Sequence, residues 1–131
     1  RTTGNLQELP AVPRRKVKAK PETFRLIKEA LTDVVKVGTA TRAKSSLVTI
    51  GGKTGTAQVV ALRTGPEESI TKKFRDHAWF VAFAPVESPK IAVAVLAEHM
   101  GHGGSAAAPL AKEVIETYIK LAPQVPMVTG G

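Results

Sequence analysis

Gly51-Gly52-Lys53-Thr54-Gly55-Thr56-Ala57-Gln58 has two readings, and the choice between them decides what kind of fold surrounds it. A phosphate-binding loop follows G-x-x-x-x-G-K-[ST], and Gly52-Lys53-Thr54 supplies the end of that pattern. Its first glycine would stand at position 47, which is Leu47. The lysine of such a loop also opens a helix, whereas the residues after Thr54 have the small and β-branched texture of a strand. The strand reading therefore stands, over Lys53–Leu62 and entered through Gly51-Gly52. Side chains alternate along a strand, so Lys53 and Gly55 share one face and Thr54 takes the other. This pattern suits one wall of an acyl-transfer site. Lys53 would place a positive charge beside a nucleophile or an anionic substrate, and Gly55 would let a substrate backbone lie against the strand. Thr56 would offer a hydroxyl to a carboxylate and a backbone N–H to a developing oxyanion.

Upstream of this stretch, Pro21 suits the first position of a helix and Glu22 its positive end. Phe24, Ile27, Leu31, Val34 and Val35 recur at spacings of three and four, which predicts an amphipathic helix over 21–36, stopped by Gly38. Downstream, a polar loop from Arg63 to about Asp76 precedes two apolar runs, Ala78–Val86 and Ile91–Ala97. Glu87-Ser88-Pro89-Lys90 between them marks a hairpin. The expected sheet is an antiparallel three-stranded meander, and the near-continuous apolar character of its last two strands predicts burial on both faces. Gly101-His102-Gly103-Gly104 breaks the pattern. A second helix follows from about Ser105–Ala108 to Leu121, with Leu110, Val114, Ile115, Tyr118 and Leu121 on one stripe. Pro123 and Pro126 end it, and the tail 123–131 is expected to fray. Residues 1–20, with Gly4, Pro10 and Pro13, read as a basic loop or short strand. The class is α+β, with helices laid on a sheet rather than acting as membrane or partner helices.

The chain has 131 residues, 43% of them hydrophobic, enough for a real core and too many for wholesale disorder. With no cysteine, it can have neither disulfides, nor a thiolate metal site, nor a cysteine nucleophile. No apolar run approaches the roughly eighteen residues of a membrane span, and no signal-peptide pattern opens the chain. It begins with Arg1, and we expect it to be part of something longer. The net charge of +8 resembles a nucleic-acid signature until its distribution is considered. Residues 1–44 carry a net of +7, densest over Arg14–Lys20, and residues 45–131 carry +1. No aromatic residue interleaves the basic run, so it lacks a stacking platform. We read it as a solvated loop or strand edge, with no nucleic-acid partner.

Taken together, Gly38-Thr39-Ala40, Gly52-Lys53-Thr54-Gly55-Thr56-Ala57-Gln58, Asp76-His77-Ala78-Trp79-Phe80-Val81-Ala82-Phe83-Ala84-Pro85 and Ile91-Ala92-Val93-Ala94-Val95 resemble one family. They look like the C-terminal part of the transpeptidase domain of class B penicillin-binding proteins. The Asp76–Phe80 stretch points to the elongation-type group, penicillin-binding protein 2. The resemblance runs from about Pro21 to Leu121. It implies the serine β-lactamase and D,D-transpeptidase fold, with residues 21–122 as the C-terminal part of the domain. It further implies a serine D,D-transpeptidase that cross-links peptidoglycan stem peptides and is acylated by β-lactams, with no cofactor or metal. By the same resemblance Lys53 would sustain the charge and proton network around the nucleophile, and Thr54 and Thr56 would hold a carboxylate. Gly55 would belong to the substrate-binding strand, and the Thr56 N–H would be half of an oxyanion hole. The implied location is periplasmic or extracytoplasmic, with a membrane anchor outside this chain.

The same family places its nucleophile in Ser-x-x-Lys and a second element in Ser-x-Asn, both upstream of Lys-Thr-Gly. No Ser-x-Asn occurs here. Ser69-Ile70-Thr71-Lys72 matches the first pattern but follows Lys-Thr-Gly in a polar loop, where its lysine would be solvated. We read it as a chance match, so the chain carries no nucleophile and is expected to be inactive alone. Two other classes are carried beside this one: a non-catalytic folding or interaction module, and a basic nucleic-acid-binding domain. In the family, N-terminal strands join the sheet beside its last strand. A chain without them would expose a sheet edge, so self-association is expected there, or pairing with residues 1–20. Glu98, His99 and His102 could suggest a metal site, but they fall at a strand end and in a Gly-rich turn, where we read a loop near the mouth of the site. Asp76 and His77 read as structural, and Trp79, Phe80 and Phe83 as core.

Overall fold

The computed structural model describes residues 15–58 and 75–121. Within them the order is α1 (Pro21–Lys36), a 3₁₀ turn (Thr41–Ala43), β1 (Gly51–Ala57), β2 (His77–Ala84), β3 (Ile91–Ala97) and α2 (Ala107–Leu121). The strands form one antiparallel sheet in the order β1-β2-β3, so the expected meander and the α+β class are both present. The predicted continuation of β1 through Leu62, the loop around Ser69–Lys72, most of the 1–20 segment and the 123–131 tail lie outside the described residues.

α1 spans the predicted range, with Pro21 at its start, Glu22 in the first turn and Lys36 in the last. It ends where the N–H groups of Val37 and Gly38 both donate to Asp33 O, at 2.9 Å each, and the Ala40 N–H donates to Val34 O at 2.9 Å. The β2–β3 hairpin closes where the Lys90 N–H donates to Ala84 O at 2.9 Å. Its flank is tied to the approach to β1 by the Val86 N–H on Thr49 O at 3.0 Å. β1 begins at Gly51, two residues before the expected start. Both glycines leave room for rings of β2: a Cβ on Gly52 would stand 2.5 Å from Phe80 Cζ, and one on Gly51 2.8 Å from Phe83 Cζ.

The core lies on one side of the sheet. Ala78, Phe80, Ala82 and Ala84 of β2 point into it, joined by Val35 of α1, Ile50, and Ala107, Ala108, Ala111 and Ile115 of α2. Ile91, Val93, Val95 and Ala97 of β3 pack against the same cluster. Phe80 and Ile115 are its largest fully buried side chains, each contributing about 1.5–3 kcal/mol through burial.

Four expectations need correction. Burial on both faces of β2 and β3 does not occur in this chain: Trp79, Val81 and Leu96 are exposed on the face away from Phe80. The buried residues of α2 and Val35 of α1 join the Phe80 cluster, and on the other face Ala92 and Ala94 of β3 are exposed as well. Trp79 is therefore not core, and Phe83 is half-buried on the same open face.

On α2, Ile115 is buried as expected, but Leu110, Val114, Tyr118 and Leu121 are exposed. The helix turns its alanines to the sheet because small side chains allow a close approach. On α1, Val35 is buried and Leu31 and Val34 are half-buried, while Phe24 and Ile27 remain exposed. Only the later turns of α1 reach the sheet, and Thr32 is buried there with its hydroxyl donating to Lys28 O at 2.7 Å. Among the described residues no helix is long and apolar enough to cross a membrane.

Candidate functional site

β1 is an edge strand, with β2 on one side and no strand on the other among the described residues. Every second residue of such an edge turns its N–H and C=O outward, where another chain can pair with them. In the register Lys53 faces Val81, Thr54 faces Phe80, Gly55 faces Trp79 and Thr56 faces Ala78. Residues directly opposite share a face of the sheet. Lys53 and Gly55 thus lie on the open face with Val81 and Trp79, and Thr54 and Thr56 lie on the core face, the alternation expected from the sequence.

Lys53 is exposed and folds back on its own strand, its Nζ donating to the Thr54 carbonyl at 2.8 Å. Thr56 is exposed, and Thr54 and Gly55 are half-buried. The Thr54 hydroxyl lies 2.9 Å from the Thr39 hydroxyl, in the turn that follows α1. The structure therefore brings Lys53, Thr54, Gly55 and Thr56 together along one strand but separates Lys53 from the two threonines by the thickness of the sheet.

Three features of the surroundings carry contacts that the sequence did not show, the second of them in the Gly-rich turn expected near the mouth of the site. Thr39 is the first; it stands in Gly38-Thr39-Ala40, a stretch noted above without a role for its hydroxyl. The second is the path of Gly103 and Gly104. A Cβ on Gly103 would run into the Trp79 carbonyl and lie 2.8 Å from Gly55 O, and one on Gly104 would run into the Thr39 carbonyl. These glycines let the chain cross β1 and β2 at close range before α2 begins, with the Ala107 and Ala108 N–H groups on Gly103 O at 3.0 and 2.8 Å. The glycine cluster itself was the available signal. Third, Arg42 Nη1 donates to Ser105 O at 3.1 Å, tying the 3₁₀ turn to the same crossing.

His77 and His99 serve the scaffold. The His99 N–H donates to His77 Nδ1 at 3.0 Å, His99 Nδ1 lies 3.2 Å from Arg75 O, and the rings meet edge to face at 4.5 Å. The Gly101 N–H donates to Asp76 O at 2.9 Å. Together these bonds fasten the turn after β3 to the beginning of β2, with His99 at a φ of 56°. Among the described residues no three metal-ligating side chains converge. From the basic run, Lys16, Val17 and Ala19 instead line a groove with Phe24, Arg25 and Lys28 of α1 and Glu87, with no residue of β1 contributing.

Comparison with known proteins agrees on one relationship. The family model described as the penicillin binding protein transpeptidase domain matches residues 4–116. The chain is 43% identical over 96 residues to the peptidoglycan D,D-transpeptidase MrdA of Acinetobacter baumannii, covering 71% of this chain and 14% of that protein. Among solved structures it is similar to the penicillin-binding protein PBP2 solved in complex with MreC from Helicobacter pylori. That match has a TM-score of 0.66 and 28% identity, over 78% of this chain and 18% of that one. It is also similar to penicillin-binding protein A of Mycobacterium tuberculosis, solved as a penicillin G acyl-enzyme complex, at a TM-score of 0.55 and 34% identity, over 76% of this chain and 21% of that one. The chain thus spans about a fifth or less of the length of each of these relatives.

Proposed function

This chain belongs to the penicillin-binding protein transpeptidase family, in its PBP2 type, and its fold is a portion of the transpeptidase and β-lactamase fold; on that premise we propose that it supplies the Lys-Thr-Gly wall of a peptidoglycan D,D-transpeptidase. The observation that carries the reading is the placement of Lys53-Thr54-Gly55-Thr56 on a strand whose outer edge is unpaired among the described residues. A stem peptide or a β-lactam adds to that edge as an extra strand, held in register by backbone hydrogen bonds. The Lys53 ammonium on the Thr54 carbonyl supports an outward-facing Thr54. Alternation then turns the Thr56 N–H outward as well, where it can serve as half of the oxyanion hole. Thr54 and Thr56 share a face and can hold one carboxylate between them. Lys53 keeps a positive charge beside the nucleophile and lowers the cost of the charge that develops there.

The nucleophile comes from sequence outside residues 1–131, in Ser-x-x-Lys, with Ser-x-Asn as the third element. Its oxygen attacks the carbonyl, the amide C–N bond breaks as the serine ester forms, and the departing nitrogen takes up a proton. In this scheme residues 21–122 form the C-terminal part of the domain, preceded by a basic lead-in and followed by a short tail. Upstream strands pair along the outer edge of β3, where the isolated chain would self-associate. The domain works on the extracytoplasmic side of the membrane, anchored by a segment outside this chain.

A fluorescent penicillin tests the proposal. The isolated chain should form no covalent adduct, and a transpeptidase completed with the upstream Ser-x-x-Lys and Ser-x-Asn segments should label at one site. Stoichiometric labelling of the isolated chain would overturn the claim that the serine lies elsewhere. Absence of labelling in the completed protein would overturn the catalytic reading and leave a folding or interaction module.

A further inference from the structure

The Thr39–Thr54 contact carries a consequence for substrate recognition. Each hydroxyl has one proton to donate and lone pairs to accept with. At 2.9 Å the two oxygens share one hydrogen bond, and either could be its donor. A carboxylate only accepts. For the Thr54 O–H to be given to a carboxylate, the bond between the threonines must run the other way, with Thr39 donating and Thr54 accepting. Hydroxyls chained in one direction polarise one another and strengthen the terminal bond.

The surroundings hold Thr39 where it can do this. The Ala40 N–H is on Val34 O at 2.9 Å, and the Ala43 N–H is on Ala40 O at 2.8 Å. Ala40 and Ala43 are both fully buried. Gly104 closes on the Thr39 carbonyl from the other side and faces the Thr54 methyl, which a Cβ on that glycine would meet at 3.7 Å. The Thr54 methyl turned to Gly104 and its hydroxyl turned to Thr39 select one χ1 for a β-branched side chain.

We propose that Thr39 is a positioning residue for Thr54: it donates to Thr54 Oγ1, fixes that side chain's rotamer, and leaves the Thr54 proton for the carboxylate of substrate or β-lactam. The proposal rests on the reading of β1 as the substrate-holding strand, and its test separates the two. In the completed transpeptidase, acylation is measured with a penicillin bearing its free carboxylate and with the methyl ester of the same compound. Thr39→Val keeps the shape and removes the hydroxyl. It should raise the half-saturating concentration of the free acid about threefold to tenfold, the size of one hydrogen bond, with the limiting rate unchanged. The ester should react as it does with the unsubstituted protein. Thr39→Ser should restore recognition, and Thr39→Val should add nothing in a Thr54→Val background.

If Thr54→Val is impaired and Thr39→Val is not, the positioning role is overturned and the strand reading survives. Equal losses with acid and ester, or no rescue by Thr39→Ser, would reduce Thr39 to a packing residue and also overturn it. If neither substitution affects acylation, the substrate-holding role of the strand fails, and the inference with it.

Discussion

The two faces of the sheet are built from the same three strands and differ in what meets them. On one, Ala78, Phe80, Ala82 and Ala84 meet α2 and the end of α1 in a cluster that includes Val35, Ala111 and Ile115. On the other, Trp79, 38% exposed, and Val81, 48% exposed, lie beside Lys53 and Gly55 with no helix over them among the described residues. The residues that close the fold and the lysine proposed for catalysis are separated by one strand thickness. Stability and the charge at Lys53 should therefore respond to substitution on different faces, whereas Thr54 and Thr56 share the face of Phe80 and Ala78.

Substitutions can test that separation. Phe80→Ala removes the largest ring in the core and should cost about 3–5 kcal/mol in urea unfolding of the chain. A loss under 1 kcal/mol would mean the core is not centred where the burial places it. Lys53→Ala, on the opposite face, should leave the unfolding midpoint in place while the completed transpeptidase loses about 10²–10³ in acylation rate. An unchanged rate would remove Lys53 from the site. Gly103→Ala strikes the close passage of the chain over β1 and β2, since its Cβ would meet the Trp79 carbonyl, and should cost about 1–3 kcal/mol of stability. Trp79→Gln should change the stability of the isolated chain least, within about 0.5 kcal/mol. A large loss there would show that the open face is covered even in this chain.

Much of the architecture was legible beforehand. Pro21 with Glu22 marked the beginning of α1, Ser88-Pro89 marked the hairpin, and the failed phosphate-loop pattern at Leu47 left β1 as a strand. What misled was counting hydrophobic residues by size. Leu110, Val114 and Tyr118 look like the buried stripe of α2, yet Ala107, Ala108 and Ala111 take that place because close packing favours the smaller side chain. Apolar residues on both sides of β2 and β3 likewise predicted two covered faces, and composition cannot say whether the covering element lies within the same stretch of chain. In the site, the alternation of Lys53 and Thr54 followed from strand geometry alone. Thr39 did not, because nothing in its spacing links it to a residue fifteen positions away.

By itself the sequence determined the local periods, the breaks between them and the residue types on β1. These depend on backbone geometry that repeats every two residues in a strand and about every 3.6 in a helix. Tertiary structure decided which face of each helix is buried, that Gly103 and Gly104 pass against Gly55 and Thr39, and that one hydroxyl stands within reach of another. Those outcomes depend on how separate elements dock, and close packing settles that by the shapes brought together rather than by the order in which they occur along the chain.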